Sequence, residues 1–314
     1  MSMEDLPVGV LGGGGFGRGL ARATARNGRE VVLWSRSHDA SNGAIRTTRE
    51  LADLARCEVI FVAVPSIYVA EVAGQLGEHL DGSHLLVHVS RGLVGEDLQT
   101  VSQVLRHETP CRRVGALAGP LVASALAEGQ PGGGVVGTRF PEVAEAVRNA
   151  IAGPALRIYE TRDVTGVEVA SAIVGLLCLA VGYTQAGGMG PGTLAVVVTR
   201  GIAEAARVGQ ALGAQQTTFG GLAGFGDLIA AVAGDDRPET RLGRAMAEGA
   251  SRESAAHQVG AHIEGVSIAR RVANYAASVG LEVPIAETIA DVLDGRIGSE
   301  GATQRLMARR VRME

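Results

Sequence analysis

The stretch VGVLGGGGFGRGLARA, residues 8–23, decides how this chain is read. Pro7–Leu11 is a short apolar run with strand character, and a helical pattern runs from about Arg18 to Arg26. Between them Gly12, Gly14 and Gly17 stand at G-x-G-x-x-G spacing. The spacing alone says little. Here it follows a strand, opens a helix and begins a strand–helix–strand unit, the setting that a dinucleotide-binding loop requires. Gly12 permits a tight turn, Gly14 lets the backbone approach a pyrophosphate, and Gly17 lets the helix pack close to the sheet. The helix N-terminus then turns free N–H groups and the positive end of its dipole toward the phosphates.

The same alternation continues outward. Glu30–Trp34, Glu58–Val64, Leu85–Val89 and Arg113–Leu117 read as strands, with Gly134–Gly137 and Arg157–Tyr159 as candidates for two more. Strands alternating with helices imply an α/β, doubly wound parallel sheet of Rossmann type. From about Thr165 the texture changes. Gly166–Tyr183, Leu194–Leu212, Arg241–Glu248, Gly265–Val279 and Ile285–Leu293 have helical period and length, and no strand alternation is evident. The expectation is a nucleotide-binding domain over residues 1–164 and an all-α domain over residues 165–314.

Composition narrows the function classes. Hydrophobic residues make up 46% of the 314, enough for a sizeable core, while 45 glycines and only 3% aromatics suggest small-residue helices packed closely on strands. A net charge of -4 gives no reason to propose nucleic acid as a partner. Cys57, Cys111 and Cys178 are widely spaced and form no C-x-x-C, which suits a reducing cytosol. MSMEDLPVGVLG carries no basic segment ahead of its apolar run and does not read as a signal peptide, so a cytoplasmic location is expected. The longest apolar stretch, Ala172–Tyr183, is shorter than the ~20 residues of a membrane span and reads as a buried helix. No metal site is expected: His84 and His88 are four apart, but in a strand-like run, HLLVHVS.

The second strand ends Leu33-Trp34-Ser35-Arg36. An acidic residue here would hold the ribose 2′-hydroxyl of NAD. None is present, and Arg36 is placed either to meet a 2′-phosphate, to stack on adenine, or to stand as a solvated charge. NADPH is expected to bind at least as well as NADH.

With these features the chain resembles the NAD(P)-dependent glycerol-3-phosphate dehydrogenase family of bacterial type. The run GVLGGGGFGRGLA resembles that family's nucleotide loop. FVAVPS (61–66), SRGL (90–93), AGP (118–120), GVEVASAIVG (166–175), TRGIAEAARVGQALGA (199–214), GLAGFGDL (221–228), IEGV (263–266) and VGLEVPIAETIADVL (279–293) follow in the family's order and spacing. The resemblance covers nearly the whole chain. It implies a Rossmann domain, an all-helical substrate and dimerisation domain, a small-molecule substrate cleft between them and a homodimer. It further implies cofactor contacts at Gly12, Gly14, Gly15, Phe16, Gly17, Arg36, Pro65, Arg91, Ala123 and Glu264, and substrate contacts at Arg91, Gly119, Asp227 and Arg237.

That family reduces dihydroxyacetone phosphate with NAD(P)H. The resemblance implies a lysine at the carbonyl, an aspartate supporting it, and Arg, Asn, Ser and a second Lys on the phosphate. This chain has no lysine: all 29 of its Lys+Arg residues are arginine. A GC-rich genome accounts for such a bias at the surface, but not for its consequence in the cleft. The aspartate is kept as Asp227 and a glutamate as Glu264. The principal lysine falls at Val174, its neighbouring asparagine at Gly175, the second lysine at Arg91 and the serine at Leu121. The Ser-Arg-Asn segment aligns with Arg237, Pro238 and Glu239, and a one-residue shift would put Arg237 on the arginine.

These replacements have one physical direction. A carbonyl that accepts hydride develops alkoxide character and needs a donor aimed at it. Val174 offers none, and arginine is no proton carrier because its guanidinium stays protonated. A phosphate dianion needs charge-assisted donors, whereas Leu121 and Pro238 remove donors and Glu239 would repel it. On the helix that carries Val174, Ser171 and Cys178 share a face with Gly175 and are either cleft groups or small core residues. Asp227 itself becomes the expected acid, should burial raise its pKa. Three readings remain: an oxidoreductase with a small carbonyl or imine substrate lacking a phosphate monoester, a dihydroxyacetone phosphate reductase using rearranged residues, or a non-catalytic NAD(P)-binding sensor or partner subunit.

Overall fold

The computed structural model describes residues 6–37, 43–234, 237–260 and 262–308. The glycine-loop strand β1 (Val8–Leu11) leads into helix α1 (Gly15–Arg26), which returns to β2 (Val31–Trp34) and β3 (Ile45–Thr48). Then come β4 (Val59–Val62), α2 (Val69–Gly77), β5 (Leu85–His88), a two-stranded ribbon of β6 (Leu93–Val94) and β7 (Gln99–Thr100), and α3 (Val101–Glu108). The region ends with β8 (Val114–Ala118), α4 (Ala123–Glu128), β9 (Gly132–Thr138), α5 (Pro141–Ile151) and β10 (Leu156–Thr161). The sheet has eight strands in the order β10-β9-β8-β5-β4-β1-β2-β3. The chain reverses direction across the sheet at β1, so the glycine loop opens at a switch point, where doubly wound sheets bind ligands.

Two features depart from the expected sheet. Strand β3 is an addition. Its sequence, IRTT, is half-buried at the sheet edge and carries no apolar run; backbone pairing with β2 holds it, and the Trp34 indole N–H donates to the Arg49 carbonyl at 2.8 Å beside it. The sheet is also not wholly parallel: β9 runs antiparallel to β8 and parallel to β10. A parallel crossover needs a helix that carries the chain back along the strand. The six residues of α4 rise only ~9 Å, against the ~23 Å spanned by the seven of β9. Helix α4 instead packs on α1, where a β-carbon on Gly19 would stand 2.8 Å from the Ala123 carbonyl oxygen.

Beyond Thr161 the described chain is helical: α6 (Val164–Ala186), α7 (Pro191–Ala211), α8 (Gln216–Phe219), a π turn at Leu222–Gly226, α9 (Asp227–Ala233), α10 (Pro238–Ala247), α11 (Arg252–Val259), α12 (Glu264–Val279), α13 (Pro284–Leu293) and α14 (Ser299–Met307). Helix α6 is apolar on every side and lies in the core. By length and composition it is the described helix able to cross a membrane, yet its most apolar stretch is 89% buried among its neighbours. Asp163 caps its start, accepting from the Gly166 N–H with one oxygen and from Gln215 N–H and the Thr218 hydroxyl with the other. Glu168, one turn on, ties α6 to the sheet. Its carboxylate lies 2.8 Å from His88 Nε2 and accepts the Ser102 N–H and hydroxyl, each at 2.7 Å. His88 is thus a structural partner, and His84 contacts the Ala55 carbonyl.

Glycine sets how closely the other helices approach α6. A β-carbon on Gly182 would run into the Thr240 backbone of α10, and one on Gly243 into the Leu179 carbonyl of α6. One on Gly265 would stand 2.7 Å from the Gly175 carbonyl oxygen, so α12 begins directly against α6. This backbone-on-backbone contact holds the starts of α10 and α12 beside the middle of α6. Gly243→Ala should therefore act as an overpacking change and cost about 1–3 kcal/mol, read as a lower urea midpoint. Gly192→Ala, where an added β-carbon meets nothing, should be neutral or slightly stabilising. Equal midpoints for the two variants would refute the close-crossing argument.

Candidate active site

A cleft of about 1110 Å³ runs between the glycine loop and the helical region. One wall is Gly14, Gly15, Phe16, Ala63, Val64, Pro65, Ser90, Arg91 and Leu121–Ser124; the other is Arg237–Glu239, Arg241, Arg244, Glu248, Gln258, His262 and Glu264. The three motif glycines occupy three different environments. Gly12 has φ +126° and faces the Ala63 carbonyl, so a side chain there is excluded by both conformation and space. A β-carbon on Gly17 would run into the Gly12 carbonyl, which is the close packing of α1 on the loop. Gly14, by contrast, has nothing within 4 Å of where its β-carbon would be, and it caps α1. The first N–H groups of α1 have no intrahelical partner and open on this space. The absence of side chains here forms a cradle that a pyrophosphate fits.

Several of the residues expected at a cofactor line the cleft or stand close to it. Phe16, Pro65, Arg91 and Ala123 line the cleft, and Arg36 follows β2 with its guanidinium 5.6 Å from the centre of the Tyr68 ring. Glu264 also lines it, but with a prior engagement. It accepts the Ser66 N–H at 2.6 Å and the Ser66 hydroxyl, and His262 Nε2 lies 3.9 Å away. Burial pushes its carboxyl up, but the nearby His262 ring and the Ser66 hydrogen bonds outweigh this and hold it below the usual range. Glu264 thus fastens the segment after β4 to α12. Gly119 is not on the cleft surface. Its φ of +116° turns the chain after β8, so that Leu121–Ser124 reach the wall instead.

Asp227 requires the largest correction. The π turn of the Gly-rich Leu222–Gly226 segment, closed by Gly226 N–H to the Gly221 carbonyl at 3.0 Å, delivers it inward at the start of α9. Its side chain is 0% exposed and does not line the cleft. Arg91 donates from Nη1 at 2.8 Å and from Nη2 at 3.5 Å, and Arg237 donates from Nη2. Both carboxylate oxygens are engaged by guanidinium groups. Asp227 therefore holds two arginines in place and is not an acid facing substrate. Val174, Ser171 and Cys178 are buried in α6 and off the cleft surface; burial pushes the Cys178 thiol up to about 12.

Sequence reading passed over groups that the fold brings into the cleft. Glu239, taken only as a repulsive charge, sits buried in the first turn of α10, with burial raising its pKa against the opposing pull of Arg91. His262, just ahead of the I-E-G-V segment, has its pKa raised by Glu264. The signal for Glu239 was present in Arg-Pro-Glu, since proline favours the first helical position and so places the next residue in the first turn.

Two predictions test this geometry. Gly14→Val should keep the wild-type fold, because the site has room in the free protein, yet abolish the thermal stabilisation produced by NADPH; an undiminished shift would remove the loop from cofactor binding. Asp227→Asn should leave the buried Arg237 guanidinium and the half-buried Arg91 guanidinium without their counter-charge and cost about 3–5 kcal/mol in urea unfolding. Wild-type stability in that variant would contradict the clamp.

Comparison with known proteins agrees with this architecture. The chain matches the models of the NAD-dependent glycerol-3-phosphate dehydrogenase N-terminus over residues 7–54 and 42–144, and of the C-terminus over residues 163–304. It is 35% identical over 306 residues to a glycerol-3-phosphate dehydrogenase (NAD(P)+) of Synechococcus elongatus, covering 97% of each chain. It is 33% identical over 332 residues to the protein of that name from Paracidovorax citrulli, covering 96% of each. Its fold is shared with a crystal structure of glycerol-3-phosphate dehydrogenase from Coxiella burnetii, at a TM-score of 0.92 and 24% identity over 98% of this chain and 100% of that one. The chain belongs to the NAD-dependent glycerol-3-phosphate dehydrogenase family.

Proposed function

We propose that this NAD(P)-dependent oxidoreductase reduces a small carbonyl compound that lacks a phosphate monoester. The observation that carries this reading is the lining of the cleft beside Asp227. The Arg91 and Arg237 guanidinium groups, which would otherwise meet a phosphate dianion, are both turned onto Asp227. Leu121 forms the adjoining wall, and the Glu239 carboxyl lies on the other side. A dianion placed there would lose hydration to an apolar side chain and face a carboxyl group, whereas an uncharged carbonyl compound has neither cost.

The N-terminus of α1, Val64, Pro65 and Ala123 would hold the cofactor, and Arg36 would meet a 2′-phosphate, which favours NADPH at least as much as NADH. When bound, the reduced nicotinamide supplies hydride. Arg91, anchored by Asp227, orients the carbonyl oxygen by hydrogen bonding without giving up a proton. The Ser66–Glu264 tie keeps the two walls of the cleft in register.

One observation favours a second reading, reduction of dihydroxyacetone phosphate itself. Arg237 Nη1 is buried without a partner among the described residues, so one cationic donor remains for an anion. Steady-state oxidation of NADPH and NADH, with dihydroxyacetone and dihydroxyacetone phosphate as alternative substrates, separates the two. The proposed function requires kcat/KM for the phosphate ester at least about tenfold below that of a lysine-containing relative, a barrier difference of ~1.4 kcal/mol. It also requires no preference for the ester over dihydroxyacetone. A strong preference for the ester at the relative's rate would establish the second reading.

A further inference from the structure

A carbonyl reduced in this cleft needs a proton as well as hydride, and most of the polar groups around it are unsuited to give one. Arg91 and Arg237 do not release protons. Asp227 is closed in by both. Glu264 is engaged with Ser66, and the Cys178 thiol is buried off the cleft. Glu239 differs from all of these. It stands behind Pro238 in the first turn of α10, is 7% exposed, and lines the cleft. Its carboxyl forms no ion pair and no hydrogen bond with another side chain among the described residues. Its Oε1 lies 3.8 Å from where a β-carbon on Gly175 would stand, so the missing side chain of α6 provides the room that the carboxyl occupies.

We propose that Glu239 is the proton donor of this cleft, acting on the oxygen of an uncharged aldehyde or ketone. The assignment rests on the reductase reading given above. As hydride forms the new C–H bond, the carbonyl π pair moves to oxygen. The Glu239 O–H bond breaks and its proton completes the hydroxyl group; the hydride and its two electrons would be supplied by a bound reduced nicotinamide. Glu239 remains as a carboxylate near Arg91 and is reprotonated from solvent through the cleft.

The surroundings suit an acid that must cycle. Burial raises the Glu239 pKa and Glu264 adds to this, while Arg91 and Arg237 limit the rise and stabilise the carboxylate once formed. Cys178 of α6 and His262, ahead of α12, are the other titratable groups that feel its charge. His262 is the rival donor. It is paired to Glu264, however, and its side chain is 36% exposed at the cleft wall.

The test joins a spectroscopic and a kinetic measurement on the full-length protein. Infrared spectra of the NADPH-bound protein, recorded against pH and taken as wild type minus Glu239→Gln so that the buried Glu204 carboxyl, itself raised to about 7, cancels, should show the C=O stretch of one protonated carboxylic acid that fades as pH rises. With dihydroxyacetone as the probe, Glu239→Gln should lower kcat about 10²–10⁴-fold, the usual loss for a proton-transfer group, and leave the Kd for NADPH unchanged. Wild-type kcat should fall as pH rises through the titration of the band, because the acid form is the active one. The fall should disappear in Glu239→Gln and persist in Glu239→Asp and His262→Gln. No carboxylic-acid band in that difference, a kcat within about tenfold of wild type, or the same pH limb in the variant overturns the assignment. If wild type oxidises NADPH with neither dihydroxyacetone nor dihydroxyacetone phosphate, the reductase reading fails and the donor with it. Turnover that survives Glu239→Gln removes only the donor.

Discussion

A carboxylate with no solvent exposure needs its charge balanced inside the protein, and Asp227 is balanced by two arginines, Arg91 from 136 residues away and Arg237 from 10 residues on. Arg91 follows the central strand β5, and Arg237 caps α10. The ion triad therefore joins the sheet to the helices and fixes the start of α10 in the same contact. Glu239 is placed by that helix start, and the direction of the Arg91 guanidinium is set by its carboxylate partner. Two further carboxylates, Glu168 against His88 and Ser102 and Glu264 against Ser66, span the same boundary. Each satisfies donors that would otherwise be buried without partners, and together they tie the sheet side to the helical side.

The close arrangement around the cleft is possible because the helices approach at backbone distance. Gly182, Gly243 and Gly265 allow α10 and α12 to lie on α6 with carbonyl groups in contact, which explains how a chain with 3% aromatics builds a tight core. Small residues give little area each, but dense packing returns dispersion contacts that larger residues would provide singly. The same economy of volume opens the space beside Gly175 into which Glu239 projects. A change in one helix, the loss of a side chain at residue 175, thus creates the environment of a carboxyl group on another.

Much of the fold was legible in the residues. The glycine spacing, the alternation of strands with helices up to Thr161 and the apolar helix near Val174 each reflect local stereochemistry, and each stands where it was expected. The misses are equally physical. Strand β3 is an edge held by backbone pairing, so its side chains carry no period. The antiparallel β9 follows from the shortness of α4, which an alternating pattern does not express. Gly119 turns the chain without touching the cleft.

In the site, the division is clearer. A dinucleotide cradle is local: strand, turn and helix terminus lie within about one helical turn of one another, so glycine positions alone specify it. The absence of lysine is also a property of the chain itself, and it excludes an ammonium group from the cleft whatever the fold. The role of a carboxylate is different, because it depends on what surrounds it in space. Asp227 and Glu239 are both acidic residues in the same part of the chain. One is neutralised by an arginine 136 residues away, and the other is left without an ion-pair partner among the described residues. Burial and charge pairing act through distances that sequence separation does not reveal, and so the exchange of roles between these two residues emerged from the packing of α6, α9 and α10.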